Sequence, residues 1–103
     1  MAEWIRVGRV DDCPPGKILG VAQGAHRVVV VNAEGEFHAL KDQCSHQDLP
    51  LSDGDLDGFT LECCYHGAQF DVRSGKALCL PAIRAVPCYP VEVRDRDIYV
   101  QVG

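Results

Sequence analysis

Cys44-Ser45-His46, then sixteen residues, then Cys63-Cys64-Tyr65-His66: two cysteine/histidine pairs in one short chain constrain this sequence more than anything else in it. Each pair places a soft thiolate and an imidazole close enough along the chain to reach one metal centre. Two thiolates and two imidazoles suit a tetrahedral zinc ion. They equally suit a 2Fe–2S cluster in which histidines take the place of two cysteines. The first kind of site helps a chain fold, whereas the second passes electrons. Ligand type alone leaves both open.

Size and charge remove other classes. A chain of 103 residues has the length of one domain. Residues 1–103 are therefore expected to form a single domain, with a core small enough for a bound metal to add usefully to its stability. The formal net charge of −5 argues against nucleic acid, which calls for a basic face, and against an anionic membrane surface. Met1-Ala2-Glu3-Trp4-Ile5-Arg6 has no basic stretch leading into an apolar one, so no signal peptide is expected. The apolar run Val28-Val29-Val30-Val31 is strand-sized, far too short to span a bilayer. The expected compartment is the cytoplasm. Six cysteines could form a disulfide framework in a secreted protein, but cytosolic thiols stay reduced. Cysteines set beside histidines fit metal ligation better.

The chain reads as all-β. Trp4-Ile5-Arg6-Val7 alternates as a half-buried strand does, and Asp11 to Gly16 is a turn. Lys17 to Val21 and the β-branched His26 to Val31 are strands, the second a central one. Ala33-Glu34-Gly35 has hairpin chemistry, and Glu36 to Leu40 should return antiparallel. Beyond Lys41 the pattern dissolves into loops around the cysteine/histidine pairs. Short strands are expected at Phe59 to Glu62, Phe70 to Val72 and Lys76 to Leu78, the last two joined by a turn at Arg73-Ser74-Gly75. Val86 to Val93, interrupted by Pro87 and Pro90, reads as one edge strand, and Ile98 to Val102 closes the domain. Apolar residues nowhere hold a helical period, so essentially no helix is expected. A β-framework thus flanks a loop-rich metal module of about residues 41–82.

The flanks of the pairs separate the two metals. Asp42-Gln43-Cys44-Ser45-His46 and Glu62-Cys63-Cys64-Tyr65-His66-Gly67-Ala68-Gln69-Phe70-Asp71 resemble the two cluster loops of Rieske iron–sulfur proteins. That family's pattern is Cys-x-His and then, fifteen to seventeen residues later, Cys-x-x-His-Gly. Ser74-Gly75-Lys76 and Leu80-Pro81-Ala82 look like its turn and its proline loop. The resemblance implies an antiparallel β-sandwich with an inserted cluster-binding subdomain and one Rieske-type 2Fe–2S cluster. It implies that Cys44 and Cys63 bind the inner iron, and that His46 and His66 bind the outer one. Spacing by itself cannot choose between Cys63 and its neighbour Cys64; the family pattern selects Cys63. Cys13, Cys79 and Cys88 have no histidine nearby in sequence and read as small buried hydrophobes. His26 and His38 read as ordinary strand residues.

Membrane-complex members of the family carry an extra cysteine in each loop, joined as a disulfide; here those positions hold Leu49 and Tyr65. High-potential members also place a serine and a tyrosine where this chain has Ala68 and Phe70. Without those hydroxyl donors the reduced state is less compensated, which implies a low potential, on the order of −150 mV. The closest resemblance is to the ferredoxins of multicomponent aromatic-ring-hydroxylating oxygenases. It implies an electron carrier rather than an enzyme, working between an NAD(P)H-dependent flavoprotein reductase and a terminal oxygenase. No Gly-x-Gly-x-x-Gly nucleotide loop is present, nor an obvious mononuclear iron site of two histidines and a carboxylate. Part of Leu49-Pro50-Leu51 and Leu80-Pro81-Ala82 is expected to collar the histidine tips or to pack the loops together over the cluster. Asp48, Asp53, Asp55 and Asp57 read equally as an acidic rim that steers partners and as a solvated loop face. Nothing in the sequence demands more than a monomer. A Rieske ferredoxin for another oxygenase or iron–sulfur system, a nitrite reductase small subunit and a structural zinc module are the competing readings.

Overall fold

The computed structural model describes residues 3–43, 50–63, 67–79 and 85–102. They form eleven strands in three antiparallel sheets. Strands β1 (Trp4–Arg9), β10 (Val91–Arg94) and β11 (Asp97–Gln101) make a three-stranded sheet in the order β1-β11-β10. A second sheet has the order β2 (Ile18–Gln23), β3 (His26–Ala33), β4 (Glu36–Lys41), β9 (Cys88–Tyr89). The third, in simple sequence order, contains β5 (Asp55–Asp57), β6 (Thr60–Glu62), β7 (Gln69–Asp71) and β8 (Ala77–Cys79). Helix among the described residues is confined to two three-residue 3-10 turns, Val10–Asp12 and Leu51–Asp53. Among the described residues no helix is long and apolar enough to cross a membrane.

The valine run explains how the sheets stack. β3 sits between β2 and β4 and is buried on both faces, which is why its sequence is continuous rather than alternating. Val28 and Val30 enter one core with Ile5, Val7, Cys13, Ala39, Ile98 and Val100. Val29 and Val31 enter the other with Leu40, Leu51, Leu61, Cys63, Ala68, Phe70, Val72 and Val86. All four valines are fully buried, and each such burial contributes roughly 1.5–3 kcal/mol. The middle sheet therefore serves as floor to one core and ceiling to the other.

Strands β4 and β9 are paired neighbours, Ala39 opposite Tyr89 and Leu40 opposite Cys88. The whole third sheet lies between them in sequence, so it is an insertion into the middle sheet. Two expectations need correction. Residues 86–93 are two strands in two different sheets, not one edge strand. Pro90, which has no N–H to donate, marks the change of sheet, and its carbonyl accepts from the Gln101 N–H at 3.0 Å. Residues 55–57 are a strand where only loop was expected, because β6 supplies a full ladder through Asp55/Glu62, Leu56/Leu61 and Asp57/Thr60.

Candidate metal centre

The second cysteine/histidine segment is the tip of the β6–β7 hairpin. Leu61 pairs with Phe70 and Glu62 with Gln69, and the chain then leaves β6 directly into Cys63. Two main-chain bonds fasten the tip: Cys63 N–H donates to Ala68 O at 2.7 Å, and Gly67 N–H donates to Cys63 O at 3.1 Å. Gly67 has φ +73°, a left-handed conformation open to glycine without a Cβ penalty, so the His-Gly step of the sequence serves the turn. Cys63 is buried at 1% exposure, packed in the same core as Leu51, Leu61, Ala68 and Phe70. His66, Cys64 and Tyr65 lie outside the described residues.

The first segment is fastened differently. Cys44, His46 and Leu49 lie outside the described residues, but both flanks of the segment are placed. On one side, Asp42 continues β4, its N–H donating to Arg27 O at 2.9 Å. On the other, Pro50 leads into the turn Leu51–Asp53. Ser52 joins the two flanks: its N–H donates to Asp42 Oδ1 at 2.8 Å and its hydroxyl to Asp42 Oδ2 at 2.7 Å. Asp42 is one of only two buried polar or charged residues among those described. Two residues after Ser52, Gly54 presses on β6, where a Cβ would stand 1.9 Å from Glu62 O. Its φ of −88° is open to any residue, so close approach alone makes glycine necessary there. The exit of the first segment thereby abuts the residue immediately before Cys63.

Of the four expected ligands the structure places Cys63, and it brings the flanks of the Cys44/His46 segment against the strand that carries it. Among the described residues no group of three or more His, Cys, Asp or Glu side chains gathers around a possible metal position. The donor set nonetheless fits a 2Fe–2S centre: one buried cysteine opens a hairpin tip inside an apolar core, and a second Cys/His segment is fastened next to it. Cys13 belongs elsewhere in the molecule. Cys13 is fully buried in the opposite core, its Sγ donating to Lys17 O at 3.4 Å, and burial pushes its thiol up. Cys88 is exposed, against the expectation of burial, because β9 is an edge strand of its sheet. The side chain of Cys79 is outside the described residues.

His38 and His26 behave as strand residues. His38 meets Phe59 edge-on at 6.2 Å, and Arg73 lies over that ring at 4.5 Å. His26 Nε2 is 3.6 Å from Glu3. Leu51 is fully buried in the core that contains Cys63, which agrees with the loop-packing reading of its segment. Asp53, Asp55 and Asp57 are exposed as expected, and Asp55, Asp57 and Glu62 line an open cavity of about 310 Å³ with Thr60 and Gln69. Asp48 and residues 80–82 lie outside the described residues. Sequence reasoning passed over Ser52 and Gly54 altogether. Their signal was the polar and glycine spacing Asp42…Ser52-x-Gly54 around the first pair.

Residues 3–90 match the family model of the Rieske [2Fe-2S] domain. The chain is 41% identical to the biphenyl dioxygenase ferredoxin subunit of Pseudomonas sp. (strain KKS102), over 88% of this chain and 84% of that one. Among solved structures it superposes on the Sphingomonas yanoikuyae B1 ferredoxin with a TM-score of 0.91 at 28% identity, covering 98% of this chain and all of that one. It also superposes on a chain of the complex of reduced oxygenase and oxidized ferredoxin in carbazole 1,9a-dioxygenase. There the TM-score is 0.90 at 35% identity, over 94% of this chain and 91% of that one.

Proposed function

Because the chain belongs to the Rieske [2Fe-2S] family, we propose that it is the ferredoxin of a multicomponent aromatic-ring-hydroxylating oxygenase. In that role it takes single electrons from an NAD(P)H-dependent flavoprotein reductase and delivers them to the terminal oxygenase. The observation that carries this reading is the 41% identity to a biphenyl dioxygenase ferredoxin subunit across most of both chains. We assign Cys44 and Cys63 to the inner iron of one Rieske-type 2Fe–2S cluster and His46 and His66 to the outer iron, with residues 1–103 acting as one domain and as a monomer in the cytoplasm.

The cluster supplies reversible uptake of one electron; the surrounding residues set where and at what potential. Cys63, Leu61 and Phe70 are buried together and exclude water from one side of the centre. Ala68 and Phe70 are both fully buried and offer no hydroxyl, which leaves the added negative charge poorly compensated and keeps the potential low. The exposed carboxylates of Asp53, Asp55 and Asp57 steer a basic partner surface during encounter rather than hold it. Leu78, 46% exposed on β8, adds apolar surface on the same sheet.

The test is direct. Purified protein should be reddish-brown, titrate with one electron near −150 mV, accept electrons from a partner reductase and pass them to an aromatic-ring oxygenase. A colourless protein holding one zinc ion would reject the reading. A clearly positive potential would reject the low-potential assignment.

A further inference from the structure

The bond between Asp42 and Ser52 spans ten residues, and Cys44 and His46 both lie inside that span. Both carboxylate oxygens are engaged, one by the Ser52 N–H and one by its hydroxyl. Charge-assisted bonds of this kind are stronger than neutral ones; Asp42 is buried and Ser52 partly so. The middle sheet makes room for it. Gly20 on β2 faces the pair, and a Cβ there would stand 2.7 Å from both Cβ and Oγ of Ser52 and 3.4 Å from Asp42 Oδ2. Asp42 is held to β3 through Arg27 O, while Leu51, beside Ser52, is anchored in the core that contains Cys63. Gly54 then fixes the exit of the span against Glu62 O, one residue before Cys63. The chain of contacts runs unbroken from β2 through the Asp42–Ser52 pair to the second segment.

We propose that Asp42 and Ser52 are positioning residues for the iron centre: their paired hydrogen bonds clasp the flanks of the first Cys/His segment and set its place relative to Cys63. The inference rests on the ligand assignment above. Neither residue is a ligand. Residues that orient metal ligands typically change metal affinity about 10- to 100-fold when removed, and the clasp should act with that strength.

Three variants of the holoprotein separate position from charge and from fold. Asp42→Asn keeps an acceptor for the Ser52 N–H and can donate to its hydroxyl, whereas Asp42→Ala abolishes both bonds; both remove the same negative charge. Ser52→Ala loses one bond and changes no charge. The readouts are loss of the visible spectrum to an iron chelator, the reduction potential, and the denaturant midpoint of each variant. Expected are cluster loss about 10-fold faster in Ser52→Ala and up to about 100-fold faster in Asp42→Ala, with Asp42→Asn close to wild type. The potentials of Asp42→Ala and Asp42→Asn should differ, since charge cancels between them. Equal release and equal potential in those two variants would overturn the proposal, as would release that merely follows each denaturant midpoint. If Asp42→Ala does not fold, Ser52→Ala decides: a release rate equal to wild type overturns the clasp. Wild-type protein that holds no 2Fe–2S cluster would instead reject the ligand assignment, whatever the variants do.

Discussion

The two Cys/His segments are closed by different chemistry. The second is closed by main-chain bonds between Cys63, Gly67 and Ala68, which only a proline at a donor position would delete. The first is closed by the Asp42 carboxylate, which accepts from the Ser52 N–H and from its hydroxyl, so one substitution at Asp42 removes both bonds. A hairpin tip of six residues brings its own backbone groups into register through the β6–β7 ladder. One flank of the longer segment continues β4 and the other is a 3-10 turn, so they have no shared ladder and the Asp42 side chain does the joining. One closure is inherent in the strand pairing, and the other is selected residue by residue.

The largest effect should come where the two closures meet. Gly54→Ala drives a Cβ into Glu62 O, a backbone atom that cannot move without breaking β5–β6. We expect at least about 3 kcal/mol of lost stability and failure to retain a cluster. A urea midpoint within error of wild type would show that the segments are not registered at this point.

Ala68→Ser probes the main-chain closure alone, since the Ala68 carbonyl still accepts from Cys63. Under the proposed reading a hydroxyl here reaches a cluster or ligand sulfur and raises the potential by on the order of 50–100 mV, as one charge-assisted hydrogen bond would for a single electron. If the hydroxyl finds no such partner, stability falls and the potential stays put, because Ala68 is fully buried.

Gly20→Ala attacks the side-chain closure from outside. The added methyl would stand 2.7 Å from Ser52 Cβ as well as Oγ, and that Cβ moves only with the turn's backbone, so the expected loss is about 1–3 kcal/mol. Cluster release should accelerate with it. Retention unchanged in a protein measurably destabilised would separate β2 from the clasp.

The smallest effect concerns the thiol of the opposite core. Burial pushes the Cys13 thiol above its ordinary value of 9.0. Below that pH folded and unfolded chains both keep the proton, and no stability depends on it. Above it the unfolded chain ionises first, so stability falls as pH rises until the folded thiol ionises too. Cys13→Ala should flatten that alkaline slope in denaturant melts, while leaving cluster retention unchanged.

The strands were legible because burial imposed a period on them. Trp4 to Val7 alternates, and the valine run is apolar throughout because β3 is covered on both faces. What escaped was whatever depends on contacts distant along the chain. The sheet change at Pro90 looks like an interrupted strand until β4 and β11 are seen competing for its two halves. β5 carries a single apolar residue, Leu56, between two aspartates, and exists by virtue of β6. The kind of centre was read from the likeness of the flanks of both Cys/His segments to the Rieske cluster loops, since ligand type alone leaves zinc and iron–sulfur open. The clasp was hidden, since an Asp, a Ser and a Gly at positions 42, 52 and 20 mean nothing until the fold stacks them.

The pairing of β1 with β11 carries a consequence in time. Trp4 lies opposite Gln101, and the Val102 N–H donates to Glu3 O at 2.8 Å. During synthesis Ile5 and Val7 wait for Ile98 and Val100, their companions in one core, to clear the ribosome. Both Cys/His segments emerge long before then, when β2, β3 and β4 have their mutual ladders available but β9, β10 and β11 do not yet exist. A chain of this topology pays its loop-closure entropy late and folds slowly for its size. Iron and sulfide can therefore meet the two Cys/His segments while the sheet of β1, β10 and β11 is still incomplete.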